Sequence, residues 1–279
     1  MFKWDRNIMP ELPEVQTVVN ELKTSVTFQW IKSVDVLRES IVVNRIKEFR
    51  KNVRSRQIKA VQRIGKYIVF TLDDKLWMVA HLKMTGKFIV KNKNTTRHAH
   101  DRVVFQLGTN NKLIFNDSRC FGRIELTTDL HNLPGIKKLG WDPWDDNLTP
   151  ENFKRKIEHR KIPIKTLLLD QTIISGIGNI YASEILFDSM LNPTTSAQVL
   201  TKKQISRLIS STRSILRSAL KYNGTSISDY RRVDEKKGSF QNFLKVYGKS
   251  ERLCPICESN IVKIRQSQRS TFYCPNCQQ

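Results

Sequence analysis

The sequence predicts an α+β fold with a strand-rich N-terminal half, a helical second half and a short cysteine-bearing tail. Short β-branched and aromatic runs recur between residues 31 and 126, which is typical of strands. Apolar residues at helical spacing recur between residues 150 and 221, and four cysteines follow residue 250. A chain of 279 residues has room for two domains and a small attached module.

The first half begins with a helix and continues as strands. Val15, Val18, Val19 and Leu22 share one helical face within residues 13–26. The strand-like segments after it are Ile31–Leu37, Val53–Gln62, Tyr67–Leu72, Leu76–Ala80, Phe88–Lys91, Val103–Leu107, Lys112–Phe115 and Arg123–Leu126. Many short strands separated by turns indicate a β-sandwich or a barrel with a helix at its start.

A boundary follows, and helices replace the strands. Pro134-Gly135 and residues 142–150 interrupt the pattern, and Thr149-Pro150-Glu151 has the residues of a helix start. The predicted helices span 150–159, 163–171, 179–191 and 201–221. The predicted division of the chain is 1–8 as an N-terminal extension, 9–140 as the strand-rich domain, 141–235 as the helical domain and 241–279 as the tail.

The charge balance is strongly basic. Lysine and arginine total 48 against 26 acidic residues, which gives a formal net charge of +22. This excess favours a polyanionic partner, most simply nucleic acid. Two alternatives explain the same charge: a ribosome-associated protein, or an organism whose proteome is basic throughout. No apolar run approaches the ~20 residues of a membrane helix, and residues 1–8 lack the apolar core of a secretory signal.

The tail predicts a zinc site. Cys254, Cys257, Cys274 and Cys277 form the pattern Cys-x2-Cys-x16-Cys-x2-Cys. Four thiolates at this spacing suit tetrahedral Zn²⁺, and they fit a reduced protein better than a disulfide scaffold. Because thiolates fill all four positions, the zinc is predicted to be structural. The segment 261–273 between the pairs is strand-like and basic, so it either contacts DNA or forms a solvated face.

Residues 9–14 read Met-Pro-Glu-Leu-Pro-Glu. If translation starts at Met9 and that residue is removed, Pro10 carries a free secondary amine beside the carboxylates of Glu11 and Glu14. Such an amine attacks an electrophilic carbon and forms an iminium, as lysine amines do with carbonyls. As an internal amide, Pro10 has no such chemistry.

Three glycine-containing turns predict contacts with DNA. Ser175–Glu184 places two glycines before a helix, where free N–H groups bind phosphate; Asn179 either caps this helix or donates to a phosphate oxygen. His81–Gly86 and Asn116–Gly122 follow strands, and each joins apolar residues to a cation. An apolar wedge beside a cation fills the gap that a flipped base leaves. Packing in the core is the alternative for the apolar residues.

Together these motifs resemble the formamidopyrimidine-DNA glycosylases, bacterial repair enzymes for oxidised purines. The resemblance runs from Met9 to the C-terminus, with six motifs in family order. They are Pro10–Glu14, Gly65–Tyr67, His81–Gly86, Asp117–Gly122, Gly176–Glu184 and Gln268–Cys274. Leu12 favours this family over its sibling, the endonuclease VIII family, which usually has glycine there and prefers oxidised pyrimidines.

The resemblance implies a role for each matched residue. Pro10 is implied to be the nucleophile at C1′ of the damaged nucleotide, Glu11 the general acid and base, and Glu14 its support. Lys66 is implied to contact the lesion phosphate or base. The side chains implied to fill the space of the extruded base are Met84, Arg119 and Phe121. The other implied DNA contacts are His81, His100, Lys165, Asn179, Tyr181 and Arg269.

The resemblance also implies the fold, the reaction and the partners. The implied fold is an N-terminal β-sandwich with flanking helices, followed by a helix–two-turn–helix domain and a zinc-ribbon finger that holds one structural Zn²⁺. The implied activity is a DNA glycosylase and AP lyase that cleaves the strand by β,δ-elimination. Segment 225–233 is implied to close over a flipped 8-oxoguanine. A monomer in the cytoplasm acting on double-stranded DNA with oxidised bases is expected, without a membrane.

Two features depart from the family pattern. With Met1–Ile8 retained, Pro10 is an internal amide, so we expect Met9 to be the true start or the segment to be removed. Cys120 stands where many members carry a second basic residue, which weakens one contact with the DNA backbone.

Two alternative functions are a glycosylase for oxidised pyrimidines and a non-catalytic zinc-ribbon protein that binds DNA.

Overall fold

The computed structural model describes residues 9–108, 110–226, 233 and 235–279. The chain divides into two units. The N-terminal unit contains the described residues up to Lys137 together with those of Asn223–Ser239, and the C-terminal unit contains Lys138–Tyr222 and Phe240–Gln279. The change of unit after Lys137 lies close to the boundary predicted at residue 140. The described residues of segment 223–239 pack with the N-terminal unit, although helical residues precede them in sequence.

The N-terminal unit is built from eight strands and three helices among its described residues. The strands are β1 Trp30–Val36, β2 Arg56–Ile64, β3 Tyr67–Leu72, β4 Trp77–His81, β5 Lys87–Asn92, β6 Asp101–Leu107, β7 Asn111–Asn116 and β8 Arg123–Thr127. The helices are α1 Leu12–Val26, α2 Ile46–Val53 and α3 Pro134–Lys137. The strand order is β5-β7-β6-β1-β2-β3-β4-β8, and every pair is antiparallel.

The eight strands form a sandwich of two four-stranded halves. Strands β1 and β2 pair only through Trp30 with Gln57 and Ile31 with Arg56, so the sheet turns at this point. Apolar residues from both halves belong to one buried cluster. The rings of Phe70 in β3 and Phe88 in β5 meet edge to face across it, with centroids 5.3 Å apart. Offset or edge-to-face ring pairs are the arrangement that aromatic side chains prefer. The sandwich predicted by the resemblance is confirmed.

Helix α1 covers one side of this core. Val15, Val18, Val19 and Leu22 are fully buried in the same cluster as the strands, as their spacing predicts. Helix α2 was not predicted from the sequence. It buries only Phe49 and Val53 among eight residues, so its apolar period is too short to recognise, and Val53 ends this helix instead of starting a strand.

The C-terminal unit contains helices and one hairpin. The helices are α4 Pro150–Ile157, α5 Ile164–Leu169, α6 Asn179–Asp188 and α7 Lys202–Lys221, and the hairpin pairs β9 Val262–Gln266 with β10 Arg269–Tyr273. Thr149 and Thr201 cap α4 and α7 with their hydroxyls, accepting from the N–H groups of Asn152 and Gln204. These caps satisfy N–H groups that a helix start leaves without partners. The four helices agree with the predicted segments.

Among the described residues, no helix is long and apolar enough to cross a membrane.

Candidate active site

The N-terminal motif places two buried carboxylates beside Pro10. Pro10 is buried and lies directly before α1, whose N-cap is Glu11. Glu11 and Glu14 are each only 2% exposed. The backbone N–H of Glu11 donates to Glu14 Oε2 at 2.9 Å. Pro13, which lacks a backbone N–H, is tolerated because an N–H in the first turn of a helix has no intrahelical acceptor. The helix start therefore fixes both acids next to the residue predicted to be the nucleophile.

Glu14 also holds a second segment of the N-terminal unit. Its Oε1 accepts the N–H of Thr225 at 2.7 Å. Gly224 stands at φ +77°, and a side chain there would come within 2.6 Å of the same carboxylate oxygen. Glycine is required for both reasons. One carboxylate thus joins the Pro10–Glu14 segment to Thr225. The closing contacts predicted between Thr225 and Val233 fall mainly on residues outside the described ones.

Lys66 and His81 lie on neighbouring strand ends. Lys66 follows Gly65, whose φ of +56° makes the turn into β3, and the lysine is 6% exposed. His81 ends β4 and packs edge to face on Tyr67, with ring centroids 4.8 Å apart. A lysine near a reacting sugar supplies a positive charge for phosphate. The predicted role of Lys66 stays a prediction.

His81 is kept neutral by its surroundings. Burial, with smaller contributions from Lys83 and Lys66, lowers the pKa of His81 to about 3. Its Nδ1 accepts the backbone N–H of Lys83 at 3.0 Å, which leaves the proton on Nε2. The ring can therefore act as a neutral N–H donor across the physiological pH range, which suits the DNA contact predicted for it.

The predicted wedge residues occupy two turns after strands. Met84 is half-buried in the turn between β4 and β5, and Arg119 and Phe121 lie in the turn between β7 and β8. Phe121 is 45% exposed, so it is not a core residue. The Arg119 guanidinium lies over its ring, 4.8 Å from the centroid. A cation stacked on an exposed ring suits insertion between bases. His100 is also exposed, before β6.

In the C-terminal unit, Lys165 and Asn179 hold the hairpin. Lys165 is 1% exposed, and its Nζ donates to the Ser270 carbonyl at 2.9 Å and to Thr271 Oγ1 at 2.7 Å. Asn179 Nδ2 donates to the same Ser270 carbonyl at 3.0 Å. Both side chains fix the residues next to Arg269. The DNA contacts predicted for Lys165 and Asn179 stay predictions, and the structure gives each an internal partner.

Tyr181 and Arg269 differ in exposure. Tyr181 is fully buried in α6, and its ring lies 5.9 Å from that of Phe240. Arg269 begins β10 and is exposed, as a contact with a DNA phosphate requires.

The four cysteines form one cluster at the base of the hairpin. The sulfur atoms of Cys254, Cys257, Cys274 and Cys277 all lie within 4.8 Å of one another. Tetrahedral zinc with Zn–S bonds of about 2.3 Å requires sulfurs about 3.8 Å apart. The Cys254–Cys277 and Cys257–Cys274 distances are 3.9 and 3.4 Å. The donor set therefore fits one structural Zn²⁺ and leaves no open position for catalysis.

Two buried acids with organising roles were not singled out from the sequence. Glu184 in α6 accepts the N–H groups of Lys245, Val246 and Tyr247 at 2.8–2.9 Å. Burial raises the pKa of Glu184, and these three donors oppose the shift. Asp117, before the wedge turn, is fully buried. Both lie inside recognised motifs, but a charged residue that is buried looks no different in sequence from one that is solvated.

The site and fold define a class. The C-terminal unit has a zinc hairpin and an exposed arginine. The sandwich presents an exposed aromatic ring beside a cation, and two acids beside a proline. These are the parts of a DNA-binding enzyme that works on a flipped nucleotide.

Comparison with known proteins identifies the family. Residues 9–124 match the formamidopyrimidine-DNA glycosylase N-terminal domain, 139–231 match the H2TH domain of the same glycosylases, and 253–279 match a zinc finger found in FPG and IleRS. The chain belongs to the formamidopyrimidine-DNA glycosylase family. Members are glycosylases of base excision repair, and AP lyase activity is typical of them.

Relatives and solved structures agree over nearly the whole chain. The formamidopyrimidine-DNA glycosylases of Rickettsia africae and Carboxydothermus hydrogenoformans are each 39% identical, covering 97% of this chain and 99% and 100% of theirs. A Lactococcus lactis FPG variant solved with Fapy-dG-containing DNA is 34% identical, with a TM-score of 0.91, over 97% of this chain and 100% of that one. The wild-type protein, solved with DNA containing an oxidised pyrimidine, is 33% identical, with a TM-score of 0.90 and the same coverage.

Proposed function

We propose that this enzyme excises oxidised purines from duplex DNA through the amine of Pro10 and then cleaves the strand. The observation that carries the proposal is the buried Glu11–Glu14 pair fixed beside Pro10 at the start of α1. Hydrolytic glycosidases use two carboxylates and a water. Here the Pro10 amine takes the place of water, and the covalent enzyme–DNA intermediate that it forms leads to cleavage of the strand.

Each step has a residue suited to it. The Pro10 nitrogen attacks C1′, and the C1′–base bond breaks with its electron pair leaving on the base. Glu11 serves the proton transfers as general acid and base: the base leaves with a proton, the alkylated amine loses its N–H proton, and the sugar ring oxygen takes a proton as the ring opens to an iminium. The iminium acidifies the C2′ hydrogen, so β-elimination expels the 3′ phosphate and δ-elimination then expels the 5′ phosphate. Lys66 supplies positive charge beside the lesion phosphate.

The mechanism requires Pro10 at the N-terminus. A proline amide has no nucleophilic lone pair, so the amine must be free. One finding supports a chain that begins there: the family match starts at residue 9, directly before Pro10. We expect Met9 to be the initiator, or Met1–Ile8 to be removed. The test compares chains that start at Met1 and at Met9, each incubated with borohydride and 8-oxoguanine DNA.

The two chains have opposite expected results. The Met9 chain, with its methionine removed, gives a trapped protein–DNA adduct, and a chain proven by mass spectrometry to retain Met1 gives none. An adduct formed by the intact Met1 chain contradicts Pro10 as the nucleophile. The absence of any adduct from both chains favours a DNA-binding protein without catalysis.

Oxidised pyrimidines are a second candidate substrate. The specific observation is that the Lactococcus lactis protein, 33% identical to this chain, was solved with DNA that contains one. Comparing excision of 8-oxoguanine opposite cytosine with that of thymine glycol ranks the two substrates. We expect 8-oxoguanine to be the better substrate.

The partner and compartment follow from the chemistry. Duplex DNA suits the net charge of +22, and the enzyme is proposed to act on it as a monomer. Zinc-binding thiolates are stable in a reducing compartment, and with DNA as substrate this supports the cytoplasm.

A further inference from the structure

Asp117 lies where the two wedge-bearing turns meet. Its carboxylate is fully buried and accepts from three groups. Oδ1 accepts the Thr85 hydroxyl and, at 3.1 Å, the N–H of Arg119. Oδ2 accepts the N–H of Gly122 at 2.8 Å. Thr85 neighbours Met84, and the other two donors enclose Phe121, so one carboxylate spans both turns.

The surrounding backbone leaves the turns little freedom. Any side chain at Gly122 would come within 2.5 Å of the Phe115 ring, and one at Gly86 would come within 2.4 Å of the Leu82 carbonyl. Cys120 adopts φ +57°, which is uncommon for a residue other than glycine. Such a conformation persists only where the neighbouring contacts hold it.

The backbone of Asp117 adds two further restraints. Its N–H donates to the His100 carbonyl at 2.9 Å, and its carbonyl accepts from Arg102 Nε at 2.7 Å. Every polar group of the residue is therefore engaged. Burying a carboxylate costs free energy unless hydrogen bonds replace its contacts with water, and here each oxygen accepts at least one. Removing one of these oxygens would leave a buried N–H without an acceptor.

We propose that Asp117 is a positioning residue for base extrusion: it holds the turns 84–86 and 119–122 in one arrangement and so sets where Met84, Arg119 and Phe121 enter the duplex. The inference rests on the proposed function, in which these three side chains fill the space of the flipped base. Asp117 is fully buried and its polar groups are engaged within the chain, so it is not placed to contact the sugar or the base. Its effect therefore falls on insertion of the wedge and not on the chemistry at Pro10.

Replacement of Asp117 by asparagine tests this assignment. Asparagine has the same shape but offers one acceptor oxygen and one NH₂ donor, so at least one of the three donors loses its acceptor. Asp73→Asn is the matched control, because Asp73 accepts at a hairpin turn away from the wedge. Thr85→Val is a second variant, since it nearly keeps the volume while removing the hydroxyl that donates to Asp117 and accepts from the Arg119 N–H at 3.2 Å. Folding is checked for each variant by circular dichroism and thermal melting.

The readout separates wedge insertion from chemistry. Stopped-flow fluorescence of 2-aminopurine beside an 8-oxoguanine reports the opening of the stack, and single-turnover assays report base excision and incision of a preformed abasic site. We expect Asp117→Asn to slow the fluorescence change and 8-oxoguanine excision in parallel, by roughly tenfold. Abasic-site incision is expected to fall less, and Thr85→Val to show a smaller loss of the same kind.

Other outcomes overturn the proposal. Unchanged 2-aminopurine kinetics in a folded Asp117→Asn, or in Thr85→Val if the first variant does not fold, show that the wedge is placed without this carboxylate. Equal loss of all three activities shows a general structural role. The proposed function is tested separately: it fails if a wild-type chain that starts at Pro10 yields no borohydride adduct. The comparison of Asp117 variants does not decide that question.

Discussion

At the scale of single residues, the most informative side chain is Glu11. It is buried beside Pro10, and its position as N-cap of α1 prevents it from moving away. We expect Glu11→Gln to slow 8-oxoguanine excision by roughly 10²- to 10⁴-fold, because the amide supplies no proton to the leaving base. Single-turnover gels measure the rate. Borohydride adducts with preformed abasic DNA are expected to persist, since that substrate has already lost its base; equal loss of adduct contradicts the assigned role.

His81 gives a prediction in pH. Its pKa of about 3 in the folded chain lies below the ordinary value of 6.5, so between these pH values the unfolded chain binds more protons. The stability that depends on neutral His81 is therefore present above pH 6.5 and is lost as pH falls toward 3. The slope reaches at most about 1.4 kcal/mol per pH unit.

Replacement by asparagine isolates this contribution. In His81→Asn, the Oδ1 atom can still accept the N–H of Lys83, but the side chain does not titrate. Denaturant melts of both proteins at pH 7, 6, 5 and 4 compare the slopes, and the carboxylates common to both cancel in the difference. We expect the wild type to lose more free energy of unfolding than the variant on acidification; parallel curves contradict a buried neutral His81.

Residues that act through linear motifs were predictable, and those that act through distant contacts were not. The Pro10–Glu14 motif and each Cys-x2-Cys pair can be recognised because their residues lie close together in sequence, and the repeated pair spacing indicates that the two pairs share one metal although 17–23 positions separate the cysteines that meet. Asp117 bonds to Thr85, 32 positions away, and Glu184 bonds to Lys245, 61 positions away. Only the folded chain brings such groups together.

At the scale of elements, the same distinction applies to the sheet. All eight strands of the sandwich were predicted within a few residues, because β-branched runs and turns are local signals. The order β5-β7-β6-β1-β2-β3-β4-β8 was not predicted. An alternating pattern shows that a strand has a buried face, but it does not identify the strand beside it.

Helix α6 and the segment 245–247 provide a prediction for the C-terminal unit. Glu184 satisfies three consecutive N–H groups that precede the zinc hairpin. Glu184→Gln replaces one acceptor oxygen with a donor, so at least one of the three N–H groups loses its partner, at a cost of about 1–3 kcal/mol where that group is buried. Thermal and denaturant melts measure the change. Glu151→Gln, at an exposed ion pair with Lys202, is the matched control and is expected to change stability by less than about 1 kcal/mol.

At the scale of the whole molecule, the charge of +22 sets how DNA is bound. Each phosphate neutralised by a cation releases counterions, so the logarithm of affinity falls linearly with the logarithm of salt concentration, with a slope of about −0.9 per contact. The sequence alone indicates this behaviour but not which cations make contacts. Many of the lysines and arginines are exposed, and some, such as Lys165, are used inside the fold.

Arg269 tests the assignment of one contact. It is exposed at the start of β10, and its neighbour Ser270 is held by Lys165 and Asn179, so the arginine is presented on a rigid support. We expect Arg269→Met to reduce the salt slope by about one unit and to weaken binding of damaged and undamaged duplexes alike. Fluorescence anisotropy from 50 to 200 mM salt measures both. Arg45→Met, at an exposed pair with Glu48 on α2, removes the same net charge and should leave the slope unchanged. Equal effects from the two variants show that only the overall field matters, whereas an effect confined to Arg269 places a phosphate at the hairpin.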